Sequence, residues 1–128
     1  MKHTTRSTLE KLTSIILGLL MIIFGANKFL NFIAVEPPAD ATSQAFLGNM
    51  FSSYLFAAVA VVELLGGIFL FFPRTRFLGF LVLFPIIFNI VAFHIAHDFV
   101  GNGIWLLPTA IFFVLTYSLK EKLTLIIK

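Results

Sequence analysis

Four long apolar runs, at 12–33, 54–72, 77–95 and 103–119, dominate the chain, and almost every charge is gathered between them. Each meets the roughly 17 to 25 mostly apolar residues that a helix needs to cross a bilayer core of ~30 Å. A backbone in hydrocarbon must satisfy its own hydrogen bonds, which a helix does within one run. Composition agrees: of 128 residues, 59% are hydrophobic and 12% charged, against about 25% charged in soluble domains. The expectation is an all-α integral membrane protein, a four-helix antiparallel bundle forming one domain over residues 1–128. The fourth run gives only ~25 Å of helix, short enough to draw on a further turn from Lys120 onward.

Charge placement supplies an orientation. Lys2, Arg6 and Lys11 precede the first run, Arg74 and Arg76 lie in the second connection, and Lys120, Lys122 and Lys128 follow the fourth. The connections 34–53 and 96–102 hold no Lys or Arg, so the positive-inside rule puts both termini in the cytoplasm. Tyr54 and Trp105 then fall at the outer headgroup level and Tyr117 at the inner one. The net charge of +3 belongs to these flanks and points to the lipid bilayer, not to nucleic acid. Ala39-Asp40-Ala41 imitates a leader cleavage site, yet the first run is 22 residues long where the apolar stretch of a leader has 7 to 15, so it reads as a retained span. With no cysteine, disulfides, thiolate-held zinc, iron–sulfur clusters and dithiol relays within the chain are excluded.

The connections shape the bundle. Pro73 stops the second helix, and the third begins almost at once, which makes these two an antiparallel hairpin. The first outer loop contains Pro37-Pro38, then Asp40 as a helix N-cap for a short surface helix beginning over Ala41 to Leu47. That helix is either a connector or a lid. Gly101-Asn102-Gly103 reads as a turn, Pro108 as a residue near the start of the fourth helix, where proline is better tolerated, and Pro85 as a mid-helix interruption that frees a carbonyl.

Glu63 lies inside the uncharged stretch Leu55 to Phe72. A charge at the bilayer centre costs at least ~2.5 to 3.5 kcal/mol on insertion scales, so intramembrane acids face a bundle interior or a polar cavity. Ala60, Gly66 and Gly67 give Glu63 a small-residue face, and Gly18 and Gly25 give Lys28 another. Glu63 sits ~13 Å and Lys28 ~8 Å below the outer boundary, heights that a lysine stem can bridge to form an ion pair. The competing readings are a snorkelling Lys28 and a protonated Glu63 bonded to a neighbouring helix. Asn27, Asn31, Asn89 and His94 occupy the same outer half, and Asn89, four residues after Pro85, equally suits repair of the interrupted backbone. The candidate ligand pocket is therefore Asn27, Lys28, Glu63, Asn89 and His94. His94, His97 and Asp98 make an incomplete ligand set, so no metal is expected, and no opposed histidine pair exists for haem.

Several segments together resemble the DoxX family of small membrane proteins. They are Gly25-Ala26-Asn27-Lys28-Phe29 at the end of the first run, Pro37-Pro38 with Gln44-Ala45-Phe46, Val62-Glu63-Leu64-Leu65-Gly66-Gly67, and Pro85 to Asn89 with Phe93-His94. The resemblance covers nearly the whole chain and implies a four-helix membrane bundle, in a bacterial inner membrane, with the Lys, Glu, Asn and His positions as hallmarks. It also implies, for some members, association with quinone-linked sulfur oxidation or membrane redox complexes.

Three function classes follow. One is a structural or accessory subunit of a membrane complex, more a partner than an autonomous enzyme. Another is a quinone-binding subunit of a membrane oxidoreductase, with quinone as the only cofactor considered and none held covalently. The third is a small-solute or proton carrier using Glu63, for which no inverted repeat is visible. The catalytic residues, the oligomeric state and the identity of any redox partner are not assigned by the residues.

Overall fold

A computed structural model describes residues 2–34, 37–97 and 103–127, helices joined by turns and short irregular segments, with no strand among those residues. Six helices follow one another: α1 Lys2–Leu30, α2 Ala41–Phe51, α3 Tyr54–Phe71, α4 Arg76–His97, α5 Leu106–Ser118 and α6 Lys120–Ile127. Three segments, Arg6–Leu30, Tyr54–Phe71 and Arg76–His97, have the length and apolar character of bilayer-crossing helices. In the most apolar 18-residue window of each, only 33%, 28% and 22% of residues are buried inside the protein, so most of their apolar surface faces outward, as lipid-facing helices require.

Two boundaries differ from expectation. The first run stops being helical at Leu30, because Asn31 adopts a left-handed conformation at φ 53° and donates its N–H to Asn27 O at 2.7 Å. This is a left-handed helix stop of the kind Asn tolerates, and it leaves Asn31 to Ile33 outside the helix. The fourth run begins its helix at Leu106, three residues later than expected, with Gly103 at φ 74° in the turn before it. At 13 residues α5 is ~20 Å long, short of the bilayer core by itself. α6 follows at once, after a break at Leu119. Of the Gly101-Asn102-Gly103 turn only Gly103 lies within the described residues.

Other boundaries follow local chemistry, of which the Asp40 cap and the Pro73 stop were expected. Asp40 caps α2 by accepting from Ser43 N–H at 2.9 Å, and α2 then runs on to Phe51. Ser53 caps α3, and Phe72, extended ahead of Pro73, ends it. The α3–α4 turn is closed by Thr75, whose hydroxyl donates to Phe69 O at 2.8 Å. Pro108, inside the first turn of α5, removes an N–H that would have no helical partner there.

α1 packs along α3 and α5, and α3 also packs on α4. Glycines set the closeness of these crossings. A Cβ on Gly18 would lie 2.8 Å from Gly67 O, and one on Gly67 would lie 2.8 Å from Gly18 O. On the other side of α3, a Cβ on Gly79 would lie 2.8 Å from Gly66 O. Backbone contact of this kind is open only to small residues. The inner core then fills with Leu17, Met21, Leu70, Leu83 and Leu115, and with Phe80 stacked on Phe112 at 4.8 Å.

One end of the bundle is tied by ion pairs. Arg76 is buried, donates Nε–H to Leu70 O at 3.1 Å and reaches Glu10 at 3.1 Å, while Lys122 stands 3.9 Å from the same carboxylate. Arg6 pairs with Glu121. Arg76, expected as one of the basic residues marking orientation, is also a buried tie between α1 and the α3–α4 turn.

Candidate ligand site

At the opposite end, α1 and α3 bring Lys28 and Glu63 together. Lys28 Nζ lies 2.8 Å from Glu63 Oε2 and 3.1 Å from Oε1. Glu63 is 3% exposed, whereas the Lys28 side chain keeps 20%. Gly25 permits this: a Cβ there would stand 3.0 Å from Ala60 O and 3.3 Å from Glu63 Cβ, so any larger residue would push Lys28 away. The expected pair is present, and both carboxylate oxygens are used.

Above this pair lies a cavity of about 760 Å³. α2 covers it with Phe46, Leu47 and Met50; Leu55 and Val59 of α3 and the face of α4 from Ile86 to His97 form its walls; Ile104 and Trp105 close it ahead of α5. The volume is within the 300 to 1,000 Å³ range of small-molecule sites, and the lining has the same mostly apolar character with a few polar groups. Lys28, Asn89, His94 and His97 are those groups.

The aromatic lining is ordered. His94 stacks on Trp105 at 4.8 Å and meets the Phe93 edge at 5.3 Å; Phe93 stacks in turn on Phe46 at 5.5 Å. His94 Nδ1 lies 2.9 Å from Ile90 O, and since a carbonyl only accepts, the proton of that contact is on Nδ1. Asn89 Nδ2 donates to Pro85 O at 2.8 Å. The carbonyl that Pro85 deprives of its helical donor belongs to Leu81, so Asn89 is not repairing that gap.

α2 is tied down through two adjacent residues of its first turn. The Ser43 hydroxyl donates to His97 O at 3.1 Å, and Gln44 Nε2 donates to Pro38 O at 2.8 Å. Asp40 has its carboxyl held below the usual value by Ser43, first through the hydroxyl and then through the N–H. The short helix therefore covers the cavity as well as connecting α1 to α3.

Of the five pocket residues read from the sequence, Lys28, Asn89 and His94 line the cavity. Glu63 lies behind Lys28 and meets the cavity through it. Asn27 does other work: its Nδ2 donates to Ile33 O at 3.1 Å and its Oδ1 accepts from Ile33 N–H at 2.6 Å, closing the turn after α1. Trp105, expected at the outer headgroup level, is 8% exposed and part of the cavity wall. No spacing in the sequence links Trp105 to His94, so nothing there reveals the stack. Of the His94, His97 and Asp98 set, Asp98 lies outside the described residues. Comparison with family models, curated proteins and solved structures finds no match to the chain.

Proposed function

We propose that the chain is a DoxX-like accessory subunit of a membrane complex, without a redox centre of its own, that holds a flat, uncharged, membrane-soluble ligand of the quinone kind in its lidded cavity. In this reading it crosses a bacterial inner membrane four times, α5 and the start of α6 making the fourth crossing, with both termini cytoplasmic. The cavity carries the proposal: about 760 Å³, apolar and aromatic, with the Lys28 ammonium in its wall. Stacked rings suit a planar ligand, and one N–H of Lys28 beyond the Glu63 pair suits a carbonyl acceptor. Because Glu63 neutralises Lys28, the site favours an uncharged ligand over an anion.

Purification in mild detergent followed by lipid extraction tests this. A quinone should accompany the protein, and adding it back should raise the unfolding midpoint; absence of both sinks the ligand. The mutual satisfaction of Lys28 and Glu63 favours a second reading, a purely structural pair that fixes helix register. Under that reading the Lys28→Met, Glu63→Leu double variant accumulates normally and supports the complex as well as the unaltered protein; under the ligand reading it folds but loses the quinone.

A further inference from the structure

The end of the bundle away from the cavity carries a second surface. Its two described carboxylates are already engaged, Glu10 by Arg76 and Lys122 and Glu121 by Arg6. Asp40 and Glu63, the other described acids, belong to the cavity end. Lys11, Arg74 and Lys120 remain exposed at this end, Lys120 with its ammonium 4.7 Å over the Tyr117 ring, and no described carboxylate there is left to pair with them.

α6 lies among these cations, and its pattern is that of a helix at an apolar boundary. At about 100° per residue, Ile126, Leu123 and Ile127 fall in one arc of roughly 100°, bordered by Lys122 on one side and Lys120 on the other. Leu123 packs against the bundle core, while Ile126 and Ile127 are 59% and 86% exposed. The apolar arc thus starts on the bundle and runs on past it, flanked by lysines whose stems can lie along an acyl layer while their heads reach phosphate.

We propose that α6, with Lys11, Arg74 and Lys120, forms a binding surface for anionic phospholipid of the adjoining leaflet: Ile126 and Ile127 against the glycerol and upper acyl region, the three cations on the phosphates. Charge decides the occupant, because an unbalanced set of exposed cations beside an apolar arc matches a negatively charged headgroup layer. The surface rests on the chain spanning the bilayer, as in the preceding section, and is independent of what fills the cavity.

The absence of cysteine makes the test direct. The protein is placed in nanodiscs of mixed phosphatidylglycerol and phosphatidylcholine, and the lipids it retains are counted by native mass spectrometry. Phosphatidylglycerol should be retained at least about tenfold over its share, and Lys11→Gln, Arg74→Gln, Lys120→Gln together should bring retention near parity, since each basic residue at an anionic surface is worth roughly fivefold. Single cysteines at Ile126 and, about 100° round α6 and outside the arc, Leu125 carry a fluorophore read against headgroup-nitroxide lipid. Strong quenching at Ile126 and weak quenching at Leu125 supports the surface. No lipid preference in the unaltered protein, or equal quenching at the two positions, overturns it and leaves the face to a protein partner. Failure of the chain to insert removes the spanning reading and this surface with it, whereas loss of quinone binding alone leaves it standing.

Discussion

Lys28 and Glu63 illustrate how one close contact decides the meaning of two charged residues. Removing one partner strands the other in a dry interior, at a cost of about 3–5 kcal/mol, whereas replacing both by apolar groups can be neutral. Lys28→Met should therefore lower stability by about that amount, Glu63→Gln by less because an amide still accepts from the ammonium, and the Lys28→Met, Glu63→Leu double variant should recover most of the loss. Reversible unfolding in mixed micelles measures all three. Asp40 gives a pH prediction of definite sign. Its folded value is depressed, so its contribution to holding α2 is present above the ordinary carboxylate value near 4 and is lost as pH falls through the lower folded one. Fluorescence of Trp105, the single tryptophan, should stay constant from pH 5 down to about 4 and change below it, and Asp40→Asn, which keeps an acceptor for the Ser43 N–H, should lack that acid step. Both charged residues stood out in the sequence because charge in an apolar run is costly. Asn27 was legible as polar and near the site, but whether its amide faced a ligand or its own chain depended on the turn at Asn31.

At the scale of elements, the glycine crossings set how the helices meet. A methyl group on Gly67 would meet the Gly18 carbonyl, which no rotamer change can move, so Gly67→Ala should force α1 and α3 apart and cost about 1–3 kcal/mol. Gly48 is the contrasting case: nothing stands within 4 Å of a Cβ there, and it lies within α2. Gly48→Ala should firm the lid by about 0.4–1 kcal/mol, seen as slower amide exchange in α2. The apolar runs, the Pro73 stop and the Asp40 cap made these elements readable in advance. The late start of α5 was not, because Gly103 to Trp105 continue the hydropathy of the run while the backbone there is still turning.

The molecule as a whole is tied at one end by ions and opened at the other by a cavity. Arg76→Gln should cost about 1–3 kcal/mol by freeing the buried Leu70 O and leaving Glu10 to Lys122 alone, and should loosen the α3–α4 turn without altering ligand retention at the far end; detergent unfolding and lipid extraction on the same sample check both halves. By itself the sequence determined an all-α class with apolar helices of membrane-crossing length, the α3–α4 hairpin and the charged residues set inside apolar runs, because hydropathy, proline and charge act through short stretches of chain. Tertiary structure alone decided that Lys28 lines a cavity while Glu63 lies behind it, that Trp105 stacks on His94, that α2 covers the cavity, and that Arg76 is buried. Those outcomes depend on contacts between residues far apart in the chain, set by how closely the glycine-bearing helices approach, and no local pattern encodes that distance.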